Sequence, residues 1–185
     1  RRGMWDVRCE MREMLVRTVV CLVVLLSFGE GVMAEEQALQ GYGPEMPIVR
    51  GLGIGGCMDA AVAGDLLCVI GGGHLYTADI TTPAEPRILG RLGGLGHVRQ
   101  VEVSEGIAYV TARADGLFIV DVREPAAPKL LAHYDTVELA TGVAVEGPLV
   151  AVANRHYGVE FVDVSDPRRP RFLGLVRVGE AQSVA

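Results

Sequence analysis

Polar side chains that could bind a ligand or take part in a reaction recur between the apolar runs of this sequence. The candidates are His74, His97, Arg99, Arg113, Asp115, Glu138, Asn154, Arg155, His156 and Tyr157. If such donors and acceptors converge, they suit an anionic or carbohydrate ligand or a protein partner. The alternative is that they are solvated loop residues that bind nothing.

No catalytic motif accompanies these residues. The sequence holds no GxSxG elbow, no HExxH zinc motif and no phosphate-binding loop. The run GLGIGG at residues 51–56 has closely spaced glycines, but a strand-type run follows it where a dinucleotide site needs a helix. The sequence therefore predicts no metal ion and no cofactor. An enzyme that acts on carbohydrate as a hydrolase or lyase, with its site in a central channel, remains the alternative.

The cysteines do not define a framework or a metal site. Only Cys57 and Cys68 lie beyond residue 34, and neither has the Cys or His spacing of a zinc site. In an exported protein two such residues can pair, and the spacing alone leaves that open.

Charge and composition exclude one class of partner. The chain has 185 residues, half of them hydrophobic, and a formal net charge of -6. Its single lysine is Lys129, and no block of like charges occurs anywhere. Nucleic-acid binding depends on a basic surface that neutralises phosphates, so we expect no nucleic-acid partner.

The first 34 residues have the pattern of a signal peptide. An apolar run, Val19 to Phe28, is followed by the small-residue motif VMA, which ends at Ala34. Ten apolar residues are too few to span a bilayer, which needs ~20. We expect cleavage after Ala34, with residues 1–10 as an upstream extension, and a secreted, periplasmic or cell-surface product without a membrane span. An uncleaved anchor is the alternative.

One stretch of the sequence occurs three times in similar form. HLYTADITTPAEPRIL starts at His74, GLFIVDVREPAAPKLL at Gly116 and GVEFVDVSDPRRPRFL at Gly158, so consecutive starts are 42 residues apart. The repeats span about residues 60–100, 101–142 and 143–184. A fixed period of this length indicates an architecture of stacked, similar units.

Each repeat contains four short β-type runs separated by turn residues. Four strands in 42 residues match one blade of a β-propeller, so the fold class is all-β. The third run, as in LFIVDV, is apolar at nearly every position, which is typical of a strand covered on both faces. An open β-solenoid is the second interpretation.

An aspartate and two prolines follow the third run at the same places in every repeat. They are Asp79, Asp121 and Asp163, then Pro83, Pro125 and Pro167, then Pro86, Pro128 and Pro170. An aspartate at this position is expected to accept hydrogen bonds from backbone N–H groups of the following turn. The first proline presets that turn, and the second opens the outermost strand, where a missing N–H costs least. These residues are expected to be structural.

The repeated run resembles the LVIVD repeat of exported bacterial and archaeal proteins. GLFIVDV and GVEFVDVSDPRRP carry the resemblance, which covers residues 57–185, whereas YTADI in the first repeat departs from it. The resemblance implies a β-propeller and an extracytoplasmic location. It implies no common catalytic activity and supplies no active-site residues.

Three blades are fewer than a closed propeller needs, which is about four to eight. The segment 35–56 contains PIVRGLGI, residues 47–54, which resembles the fourth strand of a blade and is a candidate closing strand. AQSVA at residues 181–185 resembles the start of a further first strand. We therefore expect the chain to be part of a longer propeller.

The candidate residues fall in segments that an antiparallel blade brings to one face. Loops between second and third strands share that face with the links to the next blade. Ligand sites favour variable loops on a fixed scaffold. We expect a binding or protein-interaction scaffold at the cell envelope or outside the cell, with a protein or carbohydrate partner.

Overall fold

The computed structural model describes residues 52–185, and within them every regular element is a β-strand. The first sheet contains β1 (Asp59–Ala63), β2 (Leu66–Gly71), β3 (His74–Asp79) and β4 (Arg87–Gly93). The second contains β5 (Gln100–Ser104), β6 (Ile107–Thr111), β7 (Leu117–Asp121) and β8 (Lys129–Tyr134). The third contains β9 (Ala140–Glu146), β10 (Leu149–Asn154), β11 (Gly158–Asp163) and β12 (Arg171–Val176).

Each sheet is an antiparallel meander in which consecutive strands pair. The first strands of the three sheets are neighbours, since β5 contacts both β1 and β9. The predicted all-β class and the four-stranded blade are therefore confirmed. The three blades stack side by side and leave the ring open.

Apolar side chains from adjacent blades fill the space between them. Between the first two blades, Ile70 and Leu75 pack with Val110 and Val120. Between the second and third, the second blade contributes Ile119 to a cluster of valines from β9, β10 and β11. The second blade is thus covered on both faces, as the apolar third strand predicts. All five residues of β6 are buried as well, which the sequence analysis did not single out.

The outer face of the first blade is covered by the segment that precedes it. Leu67 and Val69 are each only 1% exposed and pack in a cluster with Leu52 and Ile54. The described part of the candidate closing strand, residues 52–54, forms no strand. Residues 47–51, and the leader predicted at residues 1–34, lie outside the described part of the chain.

Cys57 and Cys68 are both free thiols, which answers the question that their spacing left open. Cys57 belongs to the cluster on the outer face of the first blade, whereas Cys68 packs between the first and second blades. Burial of Cys68 raises its pKa to about 12, because the thiolate would lose its hydration.

The far face of the third blade is the least covered of the blade faces. Leu149 and Val176 are exposed there, and β11 alternates between buried and half-buried residues where β7 is buried almost throughout. Residues 177–185 form no strand. Even so, Ala181 is buried and donates its N–H to the Arg155 carbonyl at 2.8 Å.

No helix occurs between residues 52 and 185, so none there could cross a membrane. That finding concerns the blades alone.

The repeated aspartates organise the turn that follows each third strand. Oδ1 of Asp79 accepts the N–H of Thr81 at 2.9 Å, Asp121 that of Arg123 at 3.0 Å and Asp163 that of Ser165 at 2.8 Å. These are the contacts that the sequence pattern predicts for an aspartate at this position. The second proline of each repeat directly precedes the outermost strand, β4, β8 or β12.

These turns predict acid sensitivity. Hydrogen bonds from Thr81 and Arg87 lower the pKa of Asp79 to about 2, and hydrogen bonds from Arg123 do the same for Asp121. Because the folded pKa lies below the unfolded value of ~3.9, this stabilisation is complete above that value and is lost as the pH falls towards about 2. We expect the urea midpoint of the wild type to fall between pH 4 and pH 2.

The matched variant Asp79→Asn/Asp121→Asn keeps an acceptor for the turn N–H but cannot titrate. Its urea midpoint should be lower at pH 7 and should fall less steeply than that of the wild type through the acid window, where Asp163 still titrates. Glu146→Gln, an exposed carboxylate outside these turns, serves as the control and should behave as the wild type does. An equally steep acid loss in the double variant would show that these carboxylates are not responsible.

Candidate functional site

The links between blades interlock with the loops that join second and third strands. In the first link, Leu95 donates its N–H to the carbonyl of Gly73 in the first blade at 3.0 Å. The N–H of His97 donates to Oδ2 of Asp115 in the second blade, also at 3.0 Å. The first link is thus attached to the loops of two blades. We call the surface formed by these loops and links the link face.

The second link repeats this arrangement one blade further on. Arg113 and Ala140 exchange two backbone hydrogen bonds of 2.9 and 3.0 Å. Arg155 donates its N–H to the Leu139 carbonyl, and His156 donates its N–H to Oε2 of Glu138 at 3.0 Å. The segments that carry the candidate residues therefore form a continuous band across blades two and three.

Three of the candidates serve the fold. Asp115 and Glu138 accept backbone N–H groups, which fixes the links to the loops. Asn154 is fully buried at the end of β10 and donates to Oε2 of Glu160 at 2.7 Å. Asn154 cannot reach a ligand at the surface, so its assignment to the binding face was wrong. Its predicted loop position failed because β10 extends through it.

His74 is held against its own blade. It begins β3, and its Nδ1 lies 2.8 Å from the carbonyl oxygen of Gly72. Its ring is tilted on that of Tyr76, with the ring centres 5.8 Å apart. His74 is half-buried. Because its ring is held by these contacts, it is less available to a ligand than the loop residues of the later blades.

Five further candidates are exposed, and all carry hydrogen-bond donors. His97 has a side chain 87% exposed and lies 3.7 Å from Asp115 Oδ2. Arg113, His156 and Tyr157 are exposed in the loops of the second and third blades. Arg155 is exposed too, with its Nε 3.8 Å from Glu180. In a chain of net charge -6, this face concentrates hydrogen-bond donors that suit acidic groups.

Two further residues lie at the margin of the link face. Arg99 is half-buried in the first link, and its N–H donates to the Thr111 carbonyl at 2.7 Å. His133, on β8, stacks on Phe118 with the ring centres 4.5 Å apart. Within residues 52–185, no group of three His, Cys, Asp or Glu side chains is placed to hold a metal ion.

A buried carboxylate that the sequence analysis missed supports the link face. Glu160, in β11, is 1% exposed and accepts hydrogen bonds from the Tyr134 hydroxyl at 2.6 Å and from the N–H of Val137 at 3.1 Å. With Asn154 as its third donor, Glu160 ties the second link to the third blade. The signal was a glutamate in a strand where the other repeats place Tyr76 or Phe118.

The innermost strands also carry a bond between blades that the sequence did not reveal. Oδ2 of Asp59 accepts the N–H of Val101 at 2.9 Å, and Oε1 of Gln100 accepts the N–H of Val143 at 2.9 Å. Both acceptors occupy the same register position of their blades. In the third blade that position is Gly142, which has no side chain to offer.

The sequence pattern of the LVIVD repeat matches residues 95–136 and again residues 139–178. The chain carries LVIVD repeats. The two matches cover the second and third blades. The first blade, where the sequence reads YTADI, lies outside them. No curated protein matches the chain.

Solved structures share the fold at low sequence identity. The computationally designed protein Ika4 is 12% identical with a TM-score of 0.57, over 69% of this chain and 77% of Ika4. Sqt1 of Saccharomyces cerevisiae is 14% identical with a TM-score of 0.59, over 68% of this chain and 36% of Sqt1.

A functionally unknown protein from Desulfotomaculum acetoxidans is 10% identical with a TM-score of 0.54, over 67% of this chain and 43% of its own. This chain thus spans less than half the length of the two natural proteins. At these identities the likeness shows the fold alone.

The Glu160 network predicts a stability difference between two substitutions. Glu160→Ala leaves the Tyr134 hydroxyl, the Val137 N–H and the Asn154 amide without their acceptor, and each buried group left unpaired costs about 1–3 kcal/mol. We expect the free energy of unfolding to fall by at least about 2 kcal/mol, measured by urea denaturation. Glu160→Gln keeps an acceptor oxygen and should lose about half as much.

The control is Glu138→Ala, in the second link, which removes a single, half-exposed acceptor. It should lower the free energy of unfolding by less than Glu160→Ala does. Equal losses for Glu160→Ala and Glu138→Ala would contradict the central role of Glu160.

Proposed function

We propose that this chain is a protein-interaction scaffold that acts outside the cytoplasm, and that it binds its partner with the link face. The observation that carries the proposal is the exposed band of donor side chains on the interlocked loops and links. Propeller blades present variable loops on a rigid frame, which favours recognition over chemistry. The leader pattern at residues 1–34 supports export.

The chemistry of the link face favours a partner with exposed acidic groups. Its acidic members Asp115 and Glu138 already accept backbone N–H groups, whereas His97, Arg113 and His156 direct polar atoms to solvent. Arginine forks match carboxylates well, and an acidic protein surface is therefore the partner class that we favour. A carbohydrate with acidic groups shares this chemistry and is separated from it by the test below.

The triple variant His97→Ala/Arg113→Ala/His156→Ala tests the proposal. The protein is isolated from the extracytoplasmic fraction of its host, where we expect Glu35 as the first residue. Because three exposed polar contacts are removed, capture of the partner from the envelope fraction should weaken by at least about tenfold. Protease treatment of that fraction should abolish capture if the partner is a protein, whereas glycosidase treatment should not.

The matched control is Arg91→Ala/Lys129→Ala/Arg169→Ala, which removes three exposed cations outside the link face. It should leave capture unchanged. Equal losses in the two triple variants would contradict the assignment of the link face. If the wild type turns over a substrate and one of the two triple variants does not, the scaffold function is contradicted. A protein found in the cytoplasm with its leader retained would contradict export.

A further inference from the structure

A cleft opens between the second and third blades at the strand ends opposite the link face. Its volume is about 460 Å³, within the range of ligand pockets, about 300–1,000 Å³. Four hairpin turns form its rim: the β5–β6 turn, the β7–β8 turn, the β9–β10 turn and the β11–β12 turn. Side chains of β6 and β8 form its wall, among them Tyr109 and Leu131. We call this space the interblade cleft.

The preceding junction between blades one and two shows why the cleft exists. There Thr77 Oγ1 donates to the Pro125 carbonyl at 2.6 Å, which draws the β7–β8 turn onto the first blade. Gly90 allows this approach, because a Cβ at that position would lie 2.4 Å from the same carbonyl oxygen. The turn of the second blade thus sits directly on the strands of the first.

The next junction has lost both of these features. One period later, Ile119 stands in place of Thr77 and Ala132 in place of Gly90. Isoleucine cannot donate a hydrogen bond to the following turn, and the alanine methyl group occupies the space that the turn would need. The turn at Pro167 therefore lines an open cleft where the turn at Pro125 is docked.

Glu105, on the rim of the cleft, differs from its counterparts in the other two blades. Glu105 has φ of 49° in the β5–β6 turn, a conformation that glycine adopts without cost and other residues seldom take. The equivalent turns of the other two blades have Gly64 and Gly147 at this position. With Gly106, at φ of 74°, Glu105 forms the two-residue turn of the hairpin, and it places a carboxylate beside the cleft where the other two blades have none at this position.

The wall of the cleft also holds an unused polar group. Tyr109 is only 4% exposed and packs in the cluster between blades two and three. Its hydroxyl makes no hydrogen bond within the described part of the chain, although Tyr109 lines the cleft. A hydroxyl that borders the cleft can both donate to and accept from a ligand there.

The remaining lining matches a neutral ligand with many hydroxyl groups. The cleft has two carboxylates and two guanidinium groups, which are Glu105, Asp166, Arg123 and Arg168. Arg123 is already paired with Asp121, so the lining has no surplus positive charge for an anion. Apolar side chains such as Leu131 and Val164 lie beside them. A pyranose ring presents the complementary pattern, with an apolar face and a rim of hydroxyls that both donate and accept hydrogen bonds.

We propose that the interblade cleft binds a neutral pyranose sugar, with Glu105 and the Tyr109 hydroxyl as polar contacts to the ring hydroxyls. Arg123 is oriented for the same task by its ion pair with Asp121. The site is separate from the link face, because the two lie at opposite ends of the strands. Its existence does not depend on the protein partner proposed above.

The test is a titration of the full chain with defined sugars, monitored by saturation-transfer NMR. The probes are glucose, galactose, mannose, N-acetylglucosamine and their β-1,4-linked disaccharides, with glucuronate and glucosamine as charged counterparts. We expect saturable binding of at least one neutral sugar. Glu105→Gly should weaken it at least about tenfold without lowering the melting temperature, because glycine suits this turn. Tyr109→Phe, which removes only the hydroxyl, should also weaken it.

A second variant closes the cleft rather than removing a contact. Ile119→Thr/Ala132→Gly restores the docking features of the preceding junction and should abolish sugar binding in a folded protein. The link-face triple variant should bind sugar as the wild type does. The proposal is overturned if no neutral sugar in the panel saturates, if a charged counterpart binds more tightly, or if Glu105→Gly and Tyr109→Phe leave binding unchanged.

Discussion

A four-stranded sheet with two apolar faces cannot stand in water by itself, and the rest of this structure follows from that constraint. The second blade illustrates it, since β6 and β7 are buried on both sides by the neighbouring blades. Burial of apolar surface is the main source of stability, so each repeat depends on the next for its core. The links, the interlocked loops and the cleft are all properties of the junctions between blades.

The junctions share a frame but differ in their polar contacts. Both have an apolar cluster and an innermost-strand bond, from Asp59 at one and from Gln100 at the other. The first junction adds a docked turn, held by Thr77. The second replaces this with an open cleft and adds the buried carboxylate of Glu160. Small changes between repeats thus create distinct surfaces on one repeated scaffold, which is how a repeat protein gains binding sites without a change of fold.

The sequence predicted those features that lie within a single repeat. The period, the four strands and the Asp163 turn are local patterns, and each is visible in every copy. The roles of Asn154 and Glu160 were not predicted, because burial at those positions depends on a residue of another blade. The cleft was missed for the same reason, because Leu131 of the second blade and the turn at Pro167 of the third blade line it together. A repeated sequence pattern describes the strands of one blade, whereas the Glu160 network and the cleft are each formed by two blades.

The dependence of each blade on its neighbours is tested most directly by native-state hydrogen exchange on a chain of residues 35–185. Amides in strands covered on both faces open only with global unfolding, whereas those beside an open face open locally. We predict that β6 and β7 exchange most slowly and that β10 and β11, whose far face is partly open, exchange at least about tenfold faster. Equal or slower exchange in β10 and β11 would show that the third blade is stable without a further neighbour and would contradict the account.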